Sequence, residues 1–259
     1  MGGGAGGDEI MWGDKMKSQE YLLHVQSLLS QALETQLDAV NALARAMADT
    51  INAGRTVFLL GTGHSSLLAQ ELFYRAGGLV RIQPMLEGPL MLHESASQST
   101  LYEREPERAG ELMAKYGVGD GDLLLIISNS GRNPLCVEMA LRAKAAGCFV
   151  VALTSLKHSA AGASRHSSGL RLYEAADLVL DNLGELGDAC VGYENFPGKA
   201  APTSTVVGAA LLQAAAAQTV EYMLEAGGAP EVYASSNIDG GDEINEAYLE
   251  KYRGRILFL

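Results

Sequence analysis

Hydroxyl side chains gather in three short stretches of this sequence, each opening a helical pattern: GTGHSS at residues 61–66, SNSGRN at 128–133 and PTST at 202–205. Each sets Ser, Thr or Asn beside backbone N–H groups at the positive end of a helix dipole, where an anion is stabilised without a lysine. Serine and threonine donate O–H with little bulk, Gly131 lets the backbone come close to a ligand, and the same residue types also serve as ordinary helix caps. Capture of a small anionic group is the chemistry these stretches suit.

The elements around them follow from periodicity. Short apolar runs at Thr56–Leu60, Val80–Gln83, Leu123–Ile127, Phe149–Leu153 and Leu178–Leu180 read as strands. Residues 66–76, 107–116 and 134–146 between them have helical spacing, so the repeating unit is strand, helix, strand. Apolar on both faces, the strands suit a parallel sheet covered by helices, a doubly wound α/β sandwich. With strand order 2-1-3-4-5, GTGHSS and SNSGRN border the crevice where ligands of open α/β sheets bind. Ahead of this, Leu22, Val25, Leu29, Leu33, Leu37, Val40, Ala44, Met47 and Ile51 fall three or four apart, predicting one long amphipathic helix over 18–51 that packs across the domain or onto a second subunit. Residues 184–201 show no regular pattern. A helix is predicted after Pro202, ending at Gly227, and a short charged one over 242–252.

Other uses of the first stretch fit poorly. A dinucleotide fingerprint needs glycine where Ser66 stands and an acid where the second strand carries Arg81. A nucleophile elbow needs glycine at Leu67, and no Walker-type phosphate loop occurs.

The net charge of -12 has the wrong sign for general attraction to nucleic acid, whose phosphates are bound by lysine and arginine. With 47% hydrophobic residues and no apolar run near the roughly 20 a membrane helix needs, the 259-residue chain reads as soluble, with no membrane partner. The opening MGGGAGGDEIMW lacks the basic residues and apolar stretch of a signal peptide, so a cytoplasmic protein is expected, with a flexible tail over 1–15 and a single domain with helical extensions over 16–259. Cys136, Cys148 and Cys190 have neither metal-like spacing nor a count suited to disulfides.

Taken together, G-x-G-x-S after the first strand, S-x-S-G-x-[TN] after the third and P-T-[ST] at a late helix resemble the sugar isomerase (SIS) domain family, over about residues 20–226. Within it the chain most resembles the uncharacterised bacterial SIS-domain phosphosugar isomerases. The resemblance implies a flavodoxin-like, five-stranded parallel sheet, a dimer or tetramer, and a sugar-phosphate site near the subunit boundary. By motif position it carries over Ser65, Ser128, Ser130, Thr203, Ser204 and Thr205 as phosphate or sugar contacts. Gly61, Gly63, Ser66, Asn129, Gly131 and Asn133 complete the candidate binding set. His64 and Arg132 depart from many members, and Arg132 could add a charge-assisted bond.

Aldose–ketose isomerisation needs a base to move a proton between adjacent carbons and an acid to open the ring. Glu87, in MLEGPLMLHE after the second strand, is the first choice for base, with His93 and Glu94 near it; His64 is placed to act as ring-opening acid or to hydrogen-bond the sugar. Glu71 is a further candidate, also placed to pair with Arg75 at i+4. Glu194 and Lys199 become candidates if their stretch folds over the site, while His166 reads as structural or exposed and His158, beside Lys157, as loop. No cofactor or metal is expected. A phosphosugar isomerase is thus the leading expectation; the alternatives are a non-catalytic sugar-phosphate sensor and an amino-sugar-phosphate lyase or etherase. The sugar is open, and so is phosphate against a mimic such as sulfonate, since the same donors accept both.

Overall fold

A computed structural model describes residues 16–259, so the tail expected over 1–15 lies outside the described residues. The helical repeat at the start forms α1 (Lys17–Thr35) and α2 (Leu37–Asn52). One helix was expected; the structure divides it at Gln36, whose φ of -112° departs from helical geometry. The side-chain oxygen of Gln36 accepts the Asp181 N–H at 2.9 Å, so the break ties the helices to the edge of the sheet.

Strands β1 (Val57–Gly61), β2 (Ile82–Pro84), β3 (Leu123–Ile127), β4 (Phe149–Thr154) and β5 (Leu178–Asp181) make one parallel sheet in the order β2-β1-β3-β4-β5. The doubly wound α/β expectation is met. Every residue of β1 and β3 is buried because both faces are covered. Leu59, Leu125, Val151 and Leu153 point to one layer, with α2, α3 (Ser65–Glu71) and α9 (Ser204–Glu225). Leu60, Leu124, Ile126 and Val150 point to the other, with α5 (Arg108–Tyr116), α6 (Pro134–Ala145) and α8 (Leu172–Ala175).

Helix α9 runs against the strand direction. A Cβ at Gly208 would lie 3.4 Å from Leu153 near the end of β4, whereas Met223 lines a cavity with Leu79 and Arg81, ahead of β2. Its start therefore lies at the C-terminal edge of the sheet, where the strands deliver their loops.

Several elements were not expected, the short helix α8 among them. After β2 the chain makes a 3-10 turn (Gly88–Leu90) and helix α4 (Leu92–Tyr102), bent at Ser95. Helix α7 (Leu156–Ala160) follows β4. The stretch 184–201, with Pro202, forms an antiparallel hairpin, β6 (Ala189–Tyr193) and β7 (Phe196–Pro202), irregular at Gly192 and Tyr193. Helix α10 (Gly241–Tyr252) closes the chain against Val80 and Tyr233.

Candidate functional site

Strands β1 and β3 end level, Gly61 opposite Ile127, so the first two hydroxyl loops leave the sheet side by side. One connection then departs towards β2 and the other towards β4, which opens the crevice of a topological switch point. Gly61 has no room for a side chain, since a Cβ would meet Ser65 O at 2.3 Å. The first loop therefore folds tightly into α3. Gly131 has φ +55°, and its Cβ would lie 2.9 Å from Ser159 Oγ, so glycine is required there too.

Several of the sequence candidates hold the loops in shape. Ser66 is buried and donates to Gly63 O at 2.7 Å. Ser128 Oγ accepts the Gly131 N–H at 3.2 Å, and Asn129 Oδ1 accepts from Asn182 Nδ2 at 3.0 Å. Asn133 is buried at the N-cap of α6, its Oδ1 accepting from Arg165 at 2.8 Å. Ser65 and Ser130 differ: both are half-buried, and neither hydroxyl has a partner among the described residues. Arg132, on the same loop, keeps a buried Nε without a partner.

At the third helix start some of the donors are already taken. Asp188 accepts from the Thr203 N–H at 3.1 Å, the Ser204 N–H at 2.9 Å and Ser204 Oγ at 2.5 Å. An internal carboxylate thus sits where the sequence offers α9 to an external anion, the arrangement a helix dipole favours. The β6–β7 hairpin brings it there, with Asp188 in a left-handed conformation at φ +68°. Thr203 is fully buried, its Oγ1 without a partner, and Thr205 is exposed.

The catalytic candidates disperse. Glu87 turns to α5, accepting the Tyr116 hydroxyl at 2.8 Å and Lys115 Nζ at 2.7 Å. Burial, then Glu87, push the Tyr116 phenol well above its usual range. Glu71 pairs with Arg75 as its spacing suggests and also accepts from Gln213 Nε2 at 3.1 Å, which binds it between α3 and α9. His64 precedes α3 and His93 lies in the first turn of α4, both exposed; Glu94 is exposed beside Gly88. Glu194 and Lys199 are exposed on the hairpin. His166 is buried between Ser168 Oγ at 2.8 Å and Glu138 at 2.9 Å, a structural position, and His158 keeps a buried Nδ1 without a partner.

Sequence reading missed Glu103. Its carboxylate accepts the Thr62 hydroxyl at 2.9 Å, and its backbone oxygen accepts the Leu135 N–H at 3.2 Å, joining the first loop to the first turn of α6. Burial raises this carboxyl above its ordinary range, while Thr62, Arg104, Arg165 and Asn133 draw it back. Nearby Cys136 donates to Asn133 O at 3.0 Å, and burial pushes its thiol up to about 12, so it is no thiolate nucleophile at neutral pH. In LYEREPER nothing distinguishes Glu103 from the acids around it; only the fold turns it inwards. Among the described residues no three His, Cys, Asp or Glu side chains are placed to hold a metal ion, and no helix is long and apolar enough to cross a membrane.

Comparison with known proteins agrees with this geometry. The family model described as SIS domain matches residues 20–155, from α1 through β4. A UPF0309 protein of Geobacillus thermodenitrificans is 42% identical over 237 residues, 92% of this chain and 95% of its own. UPF0309 protein lin2794 of Listeria innocua is 42% identical over 232 residues, 90% of this chain and 94% of its own. Among solved structures, a phosphoheptose isomerase from Francisella tularensis has the same fold, with a TM-score of 0.52 and 18% identity over 79% of this chain and 97% of its own.

Proposed function

Because the chain belongs to the SIS domain family, we propose that it binds a small phosphorylated sugar and interconverts its aldose and ketose forms through an enediol. The observation that carries the binding is the level ending of β1 and β3, which sets the hydroxyls of Ser65 and Ser130 in adjacent loops, without internal partners, ahead of α3 and α6. Such donors at helix starts neutralise a small anion locally although the chain as a whole is acidic. The start of α9 plays a lesser part, because Asp188 occupies some of its donors. The fold is one that a phosphoheptose isomerase also uses, which supports the substrate class.

The exposed face of α1 supports self-association into a dimer or tetramer. Leu22 and Leu33 are 66% and 67% exposed, Leu29 lies on the same stripe, and the exposed Leu37 follows at the start of α2. Apolar surface of this extent on one helix is stabilised by burial against another copy.

A panel of aldose and ketose phosphates and one sugar sulfonate tests the reading, with thermal shift for binding and NMR for interconversion. Replacing Ser65 and Ser130 by alanine should weaken binding roughly tenfold per hydroxyl, the value of a hydrogen bond to a charged group. Unchanged affinity in the double variant would remove the anion from these loops. A second reading, a non-catalytic sugar-phosphate sensor, is favoured by one observation: the acids best suited by position, Glu87 and Glu71, already sit in ion pairs. Binding without interconversion of any sugar in the panel would select it.

A further inference from the structure

The carboxylates around the crevice divide into two kinds. Glu87, Glu71 and Glu138 each pair with a lysine or arginine. Glu103 does not. Its partners are neutral, the Thr62 hydroxyl between Gly61 and Gly63 and the nearby Asn133 side chain, while Arg104 and Arg165 act on it from beyond ion-pair distance, Arg165 donating to Asn133. A partly buried carboxyl without an ion pair is costly to keep, since burial disfavours its charged form. Its place explains the cost: one side touches the loop that bears Ser65, and the other is tied to the first turn of the helix that follows Ser130.

We propose that Glu103 is the general base of the isomerisation, an assignment that rests on the sugar-phosphate isomerase reading above. With the phosphate on the hydroxyl loops, the sugar carbons lie over Thr62, and the carboxylate takes the proton from the carbon next to the carbonyl. The C–H electron pair becomes the C=C bond of the enediol while the carbonyl π pair moves to its oxygen, which gains a proton from water. The neutral carboxyl then returns its proton to the neighbouring carbon. The second enediol oxygen loses a proton to water, and the carboxylate is restored with no oxidant or reductant consumed. A carboxyl raised by burial is a stronger base than an exposed one, which suits this transfer near neutral pH. Thr62 is a positioning residue: its hydroxyl orients the carboxylate and favours its charged form.

The test is deuterium incorporation from D2O at the carbon next to the carbonyl, followed by NMR with the same panel of sugar phosphates, alongside binding by thermal shift. Glu103→Gln keeps an acceptor for Thr62, so it should bind as wild type while exchange falls at least about a hundredfold, the usual contribution of a general base. Glu103→Asp, which keeps the acid one methylene further away, should recover part of the rate. Thr62→Val should move the acid limb of the kcat profile to higher pH, a shift that a merely structural contact would not produce. Exchange in Glu103→Gln within tenfold of wild type overturns the assignment while the isomerase reading stands, as does an unmoved acid limb in Thr62→Val if Glu103→Gln does not fold. Wild-type protein that binds the sugars but exchanges none overturns the isomerase reading and the base together.

Discussion

Replacing Asp188 by alanine isolates the interaction that decides how the late helix is used. The carboxylate accepts two backbone N–H groups and one hydroxyl at the start of a 22-residue helix. Loss of a side-chain cap alone costs about 0.5–2 kcal/mol. Thr203 is 0% exposed, so its N–H cannot turn to bulk water, and a buried donor left unpaired adds about 1–3 kcal/mol. Asp tolerates a left-handed backbone better than Ala does, so the φ of +68° at Asp188 adds to the loss. Together these give a loss of about 3 kcal/mol, or roughly 6–12 °C in Tm for a chain of this size. Urea unfolding should show a lower midpoint with an unchanged slope, and Asp188→Asn, which keeps one acceptor but no charge, should fall between. Because the variant empties the positive end of the dipole, inorganic phosphate should raise its Tm more than that of wild type. A loss below about 0.5 kcal/mol would refute the capping argument, and equal stabilisation of both proteins by phosphate would refute the view that Asp188 stands in for an external anion.

Other consequences are equally direct. Burial raises the folded-state value of Glu103, so ionisation above that value destabilises the fold, whereas below the ordinary carboxyl value of about 4.3 folded and unfolded chains are both protonated and the cost is absent. Glu103→Gln should therefore melt higher than wild type at pH 7, with the gap closing as pH falls through the raised value; a gap that widens in acid would reverse the sign of the burial effect. Gly131→Ala forces a side chain into a left-handed position 2.9 Å from Ser159 Oγ and should cost about 1–3 kcal/mol, measured by urea unfolding, with weaker sugar-phosphate binding. Leu22→Glu with Leu33→Glu should turn an oligomer into a monomer by light scattering, since each buried leucine contributes about 1.5–3 kcal/mol to an interface; an unchanged mass would move the interface elsewhere.

The sheet was legible because its information is local. Leu123–Ile127 and residues 150–153 are apolar at every position because both faces are covered, and a short run with no polar face suits an interior strand in a parallel sheet. Once the strand order is given, the switch point follows, and with it the place of GTGHSS and SNSGRN. The hairpin was illegible for the opposite reason: Phe196–Pro202 is mostly exposed, interrupted by Pro197 and Gly198, and carries no alternation. The break at Gln36 left no mark either, because it answers a backbone donor 145 positions away.

What the sequence by itself determined is which loops bring hydroxyls to the crevice, since residue type and strand periodicity suffice for that. Only the tertiary structure decided which of those groups are still available and which acid stands beside them. Ser66 donates within its own loop, Ser128 and Asn129 accept within theirs and keep an O–H and an N–H to donate, Asp188 reaches the donors of α9 from 15 positions upstream, and Glu103 meets Thr62 across 41. Hydrogen bonding and burial are pairwise and depend on distance in space. A sequence lists donors and acceptors, but the folded chain alone settles which pairs meet and which carboxyl loses its water.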